Sequence, residues 1–224
     1  MLAFILRRIV QALVVMLAVA FIAFMLFQYV GDPVASMLGQ DATPEQRERL
    51  RADLGLDQPF VMQFAHFAGN AVRGDFGISL RQGRQVSTLI AERLPATLEL
   101  SLAAAVIALA AGIPLGVYAA LRRGSFGSQV VMTLSLLGVS LPTFLIGILL
   151  ILVFAVMLKW LPSFGRGDTV AIGAWSTGLL TADGWKHLIL PAITLAVFQL
   201  ALILRLVRAE MLEVLRTDYI KFAR

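Results

Sequence analysis

The chain has no cysteine and only two histidines, and just 15% of its 224 residues are charged. Without cysteine there can be no disulfide framework, no thiolate-ligated zinc or iron–sulfur centre and no thiol nucleophile. No Gly-Lys pair occurs anywhere, so the G-x-x-x-x-G-K-[ST] phosphate loop is missing and with it a recognisable means of hydrolysing ATP. His66 and His187 stand apart, with no acidic cluster spaced to make a metal site with either, and read as polar interfacial residues. No Ser, His or paired Asp constellation for a membrane-embedded hydrolase is visible either.

What the chain does have is apolar surface. It is 59% hydrophobic, and a soluble domain of this size would still expose roughly a quarter to a third of its unfolded surface. A bilayer hides such a composition where a soluble core cannot. Four runs are long enough to cross one. Ile9 to Val30 is interrupted only by Gln11 and Gln28, exceeds a cleavable signal core and reads as an uncleaved anchor. Leu94 to Leu121 carries Glu99 near its start and Gly112, Pro114 and Gly116 in its second half. Val130 to Leu158 has no charge in 29 residues, so it must tilt, bend or overhang, and Pro142 is its natural bend. In Leu188 to Val207, Pro191 is placed in the first turn, where a missing donor costs nothing. The expected fold class is an all-α polytopic transmembrane helix bundle.

The charges then orient it. With the N-terminus inside, residues 1 to 8, the Arg122–Gln129 loop and the tail, counted with Arg205 at the end of the fourth span, carry net +6, and the outer segments, counted with Glu99, carry −1. This is the positive-inside pattern, so the basic pI reflects topology rather than nucleic-acid binding. The expected organisation is an N-terminus and first span over 1–30, an outer segment over 31–93, and a transmembrane domain over 94–224. That domain holds spans at 94–121, 130–158 and 188–207 and a cytoplasmic element over 208–224. In the outer segment Thr43-Pro44-Glu45-Gln46 offers a capping box for a short helix near 44–54. Gly69 to Gly83 and the second outer loop, Lys159 to His187, are Gly-rich, the latter with Trp160 and Trp185 where an aromatic belt belongs.

Ion-driven pumps need buried relay charges, and Glu99 is the sole candidate. Five residues into its span, it reads as an interfacial, hydrated carboxylate in preference to a relay. Pro114, Pro142 and Pro191 bend helices dotted with Ser135, Gly138, Ser140, Thr143 and Gly147, a pattern that suits a translocation path and equally suits close helix packing. Beyond the fourth span, Met211, Leu215, Tyr219 and Phe222 form one stripe, which fits either a lipid-surface helix or a helix docking on a cytoplasmic partner.

Several short motifs occur in order along the chain: Gly31-Asp-Pro33, Leu54-Gly-Leu-Asp-Gln-Pro59, Gly74-Asp-Phe-Gly-Ile-Ser79, Arg93-Leu-Pro-Ala-Thr97, Gly112-Ile-Pro-Leu-Gly116, Ser140-Leu-Pro-Thr-Phe144, Leu188-Ile-Leu-Pro-Ala192 and Asp218-Tyr-Ile-Lys-Phe-Ala-Arg224. Together they resemble the inner-membrane permease subunits of dipeptide, oligopeptide, glutathione and nickel ABC importers, specifically the permease with the long first periplasmic loop. The resemblance implies a type I importer transmembrane domain with four of six spans present, the coupling motif opening at Asp218 and its continuation and two further spans lying beyond Arg224, as expected of a fragment. It implies a non-enzymatic permease forming half of a pathway, beside a second permease, two cytoplasmic ATPases that bind the ATP and magnesium, and an external binding protein. No cofactor is expected in this chain. Asp218, Tyr219, Ile220, Ala223 and Arg224 would couple it to the ATPases. The expected location is the bacterial inner membrane, N-terminus cytoplasmic. A self-contained channel or secondary carrier, or a non-transporting scaffold, are the alternatives.

Overall fold

The computed structural model describes residues 1–30, 34, 38, 43–53, 55–79, 81–217 and 222. It divides into two compact units, residues 1–91 and 92–224.

In the first unit, α1 (Leu2–Val30) is a single 29-residue helix, about 43 Å long at ~1.5 Å per residue. It starts seven residues before the expected span, because nothing in Leu2–Arg8 breaks a helix. Arg8 lies over the Phe4 ring at 5.3 Å and its Nη1 donates to Gln11 Oε1. α2 (Pro44–Asp53) opens on the capping box: Gln46 N–H donates to Thr43 Oγ1 at 3.3 Å, and Thr43 N–H to Gln46 Oε1 at 3.0 Å. Unforeseen in the sequence reading is α3 (Phe60–Val72). Its Phe60, Phe64 and Phe67 recur at helical spacing and meet Phe21 and Phe24 of α1, with ring centroids 5.1 to 5.8 Å apart. Gln63 closes the turn before α3 by donating to Gln58 O and Leu56 O.

The second unit is entered through α4 (Val86–Leu121), which begins eight residues ahead of the expected span and contains Pro95 and Pro114. Gly124, at φ +85°, turns the chain into α5 (Phe126–Ser140), whose N-cap Ser125 accepts from Ser128 N–H. At Leu141–Pro142 the axis turns by 107° into α6 (Thr143–Leu150), which continues as a π-helical stretch, Ile151–Met157. The expected single span at 130–158 is therefore two 15-residue pieces of about 22 Å each, neither able to cross ~30 Å of hydrocarbon alone. Pro142 has no N–H to offer the ladder, and the helix breaks there rather than curving.

A short antiparallel hairpin, β1 (Val170–Ile172) and β2 (Trp175–Thr177), stands in the second loop, with Gly173 at φ +61° in its two-residue turn. The last helix, α7 (Ala182–Val214), is 33 residues long. This corrects the placement of Pro191. The helix begins at Ala182, capped by Thr181 Oγ1 accepting from Gly184 N–H at 2.9 Å, so Pro191 lies in its third turn and not its first. There it withholds the donor that would serve the His187 carbonyl.

Both pieces of the broken pair pack against α7. Ser128 at the start of α5 donates to Ala119 O, which also accepts from Arg208 of α7. Further along, a side chain at Gly138 would touch Val197 and Ala201, one at Gly147 would touch Thr194, and one at Gly165 would touch His187. The chain thus climbs α7 steadily from its Arg208 end to its His187 end despite the break. α4 runs beside α7 in the same direction. Ala104, Ala108, Gly112, Gly116 and Ala120 recur every fourth residue and are all buried, and this small-residue stripe admits Leu200, Ile203, Leu204 and Val207 of α7 to near-backbone contact.

Three described helices are long and apolar enough to cross a membrane, and there are four if the bent pair counts as one span. The fold is an all-α polytopic membrane domain.

Candidate functional site

Where α4, the hairpin loop and the start of α7 meet, polar side chains converge at the end of an otherwise apolar unit. Glu99 is their centre, with only 8% of its side chain exposed. Its Oε2 lies 3.4 Å from Arg166 Nη2 and accepts from Gly178 N–H at 3.3 Å, and its Oε1 accepts from Trp175 Nε1 at 3.4 Å. The expectation of a hydrated Glu99 is thereby corrected; its place at the end of the apolar unit still suits an interfacial residue. The hairpin loop folds over the carboxylate and replaces water with fixed donors, which is how an acid near the membrane is tolerated.

Arg166 in turn holds the hairpin. Its Nη1 donates to Ser176 Oγ at 2.8 Å and its Nη2 to the Ser176 carbonyl. The loop is closed at its base by Thr181, whose hydroxyl donates to Asp168 O at 2.6 Å, and by Asp183, whose Oδ2 accepts from Asp168 N–H. Gly184 passes so near the Gly178 carbonyl that a Cβ there has no room. His187 Nδ1 lies 2.9 Å from the Asp183 carbonyl, a geometry that places the proton on Nδ1.

Two cavities open beside this cluster. One, of about 510 Å³, is lined by Glu92, Arg93, Thr97, Glu99, Arg166 and His187 among others. The second, of about 420 Å³, is mostly apolar, with Gly147, Ile151, Phe164, Leu190 and Leu195 in its wall. Leu100, Gly165, His187 and Pro191 line both. Among the described residues no group of three or more His, Cys, Asp or Glu could hold a metal.

Of the three prolines singled out in the sequence, only Pro191 lines these cavities. Pro114 lies inside α4 between Gly112 and Gly116, and Pro142 stands at the α5–α6 break. Asp218, Tyr219, Ile220, Ala223 and Arg224 lie outside the described residues. Arg166 and Trp175 do not stand out in the sequence. The available signal was a lone arginine between Gly165 and Gly167 in one segment and a lone glutamate in a span, charges that low-dielectric surroundings drive to pair.

Comparison with known proteins extends over nearly the whole chain. Residues 1–102 match the family model described as the N-terminal part of the binding-protein-dependent transport system membrane component, and residues 112–224 match the binding-protein-dependent transport system inner membrane component. A transport system permease protein of Brucella suis is 44% identical over 226 residues, covering all of this chain and 69% of the relative. The di/tripeptide transport system permease protein of Pseudomonas aeruginosa is 40% identical over 238 residues, covering all of this chain and 71% of the relative. The glutathione transport system permease protein of Escherichia coli K12 is 36% identical, covering all of this chain and 68% of the relative. With two consecutive family matches laid on helices that cross a membrane, the chain belongs to the inner-membrane components of binding-protein-dependent transport systems, as a permease subunit.

Proposed function

We propose that this permease forms half of the translocation pathway of an ATP-driven importer for short peptides or related small solutes. The observation that carries the reading is similarity over the whole of this chain and 68 to 71% of the relatives, at 36 to 40% identity, to permeases named for di/tripeptides and for glutathione. The other half of the pathway would be a second permease. Two cytoplasmic ATPases would supply the energy and an external binding protein the substrate, so this chain itself carries out no catalysis. The membrane would be the bacterial inner membrane, with the N-terminus and the Arg122, Arg123, Arg205 and Arg208 end cytoplasmic, in keeping with the arginine bias.

Coupling would run through the segment after the fourth span. α7 continues without a break past Val207 to Val214, so a displacement of its far end reaches the Pro191 region as a rigid-body movement. Asp218, Tyr219, Ile220, Ala223 and Arg224 would form the contact with the ATPase. Isolation from the native membrane in a gentle detergent, followed by mass spectrometry and an ATPase assay, tests the assembly. A second permease and nucleotide-binding subunits are the expected companions, and recovery of the chain alone without ATPase activity would refute it. In the assembled transporter, Ala223→Glu is expected to abolish peptide uptake with membrane insertion unchanged, and undiminished uptake would remove Ala223 from the coupling surface.

A further inference from the structure

The segment between the first two spans is expected outside the bilayer, yet α3 within it packs against a part of α1 that lies in hydrocarbon. Arg7 and Arg8 stand before the apolar run of α1 and mark one interface. The ~30 Å of hydrocarbon beyond them takes about 20 residues, which puts the opposite edge near position 28. At ~1.5 Å per residue, Phe24 and Phe21 then lie about 6 and 10 Å inside that edge. Phe60, Phe64 and Phe67 of α3 meet these two rings at 5.1 to 5.8 Å between centroids, so α3 is held at that depth.

The composition of α3 fits the place. Phe60–Val72 carries no charged residue, whereas the neighbouring α2 carries Glu45, Arg47, Glu48, Arg49, Arg51 and Asp53. Three stripes run along α3 at helical spacing. Phe60, Phe64 and Phe67 face α1. Beside them Val61, Ala65, Ala68 and Val72 form a second apolar stripe, with Val61 74% and Val72 90% exposed. Turned away from both are His66, Asn70 and Arg73, all exposed. The other polar side chain, Gln63, is buried with its amide donating to Leu56 O and Gln58 O. Along the same length α1 is itself open to lipid: Ile22 and Met25, next in sequence to the packed rings, are exposed. The second stripe of α3 thus continues an apolar surface that α1 already offers to acyl chains.

We propose that α3 is an interfacial helix, lying against α1 in the leaflet opposite Arg7 and Arg8, with the Val61–Val72 stripe among lipid acyl chains and His66, Asn70 and Arg73 at the headgroups. The depth set by Phe21 and Phe24 matches the ~5–10 Å at which amphipathic helices settle into a bilayer. A helix satisfies its own backbone, so hydrocarbon along one side is tolerated. Arg73 at the C-terminal end complements the negative pole of the helix and has the length to reach phosphate. The segment is then a second membrane anchor of the first unit. The inference depends on α1 crossing the membrane and on no particular transported solute.

The absence of native cysteine in this chain makes the test direct. Val61→Cys, Val72→Cys, His66→Cys and Asn70→Cys are introduced singly into the complete transporter, spin-labelled and reconstituted in phospholipid vesicles, with the signal of the unsubstituted transporter subtracted. Power saturation by oxygen, which partitions into lipid, is compared with saturation by a water-soluble nickel chelate. Val14→Cys in α1, where Val14 is 62% exposed, gives the lipid reference, and Glu48→Cys in α2 gives the water reference. The oxygen-to-nickel ratio is expected to be several-fold higher at positions 61 and 72 than at 66 and 70, and to approach that of Val14→Cys. A ratio at 61 and 72 equal to that of Glu48→Cys would place α3 in water and overturn the proposal. Shielding from both reagents at 61 and 72 would mean that protein covers the stripe, and would overturn it equally. High ratios at all four positions would sink the helix wholly in hydrocarbon and overturn the interfacial position.

Discussion

Glu99→Ala is expected to detach the hairpin loop from α4, seen as faster tryptic cleavage after Arg166 and a lower melting temperature in detergent. The carboxylate accepts from Arg166, Trp175 and Gly178, and removing it strands all three donors at once. Stripping one partner from a fully buried pair costs about 3–5 kcal/mol. Arg166 keeps 30% of its side chain exposed, so water recovers part of the loss and about 2–3 kcal/mol is expected. Glu99→Gln, which retains one acceptor oxygen but no charge, should fall between Ala and the natural residue. Arg166→Ala combined with Glu99→Ala should cost less than the two single changes added together, since either alone already breaks the pair. Equal melting temperatures and unaltered cleavage for Glu99→Ala would show that the loop is held by the hairpin and the Thr181–Asp183 closure alone.

Gly116→Leu is expected to disrupt the α4–α7 contact severely enough to prevent recovery of folded protein from the membrane, as read by size-exclusion chromatography. Even the single carbon of Gly116→Ala would stand 2.8 Å from both the Leu204 carbonyl oxygen and Val207 Cβ, closer than real packing allows. The carbonyl is backbone, so relief requires the helices to separate. Overpacking of this kind costs about 1–3 kcal/mol for small additions, and the three further carbons of leucine have nowhere to go. Gly69→Ala is the matched control. It too lies inside a helix, but nothing stands within 4 Å of its added carbon, so the gain in helix propensity of up to ~1 kcal/mol should leave stability equal or higher. A Gly116→Leu protein as monodisperse and heat-stable as the Gly69→Ala protein would refute the close approach of the two helices.

The same two sites separate what is legible in a sequence from what is not. The apolar runs, the arginine bias and the Thr43–Gln46 capping box are local properties, set by residue type and spacing within one stretch of chain. They determined by themselves that this is a polytopic membrane protein of helices, and the ordered motifs resembled the permease family to which the comparisons assign it. Phe60, Phe64 and Phe67 also carried a helical period. It passed unnoticed because their purpose, contact with Phe21 and Phe24, lies some forty residues away. Pro191 was misplaced because the first turn of a membrane helix is set by its cap, Thr181, and not by where hydrophobicity begins. Only tertiary structure could decide the protonation environment and partners of Glu99, since Arg166 is sixty-seven residues away in sequence and a charge's cost depends on what replaces its water. Only the tertiary structure shows that the helix breaks at Pro142 by 107° and that both pieces still lie against α7. Hydrophobicity measures whether a segment leaves water, whereas which segments then touch is decided by shape and by the pairing of the few polar groups that go with them.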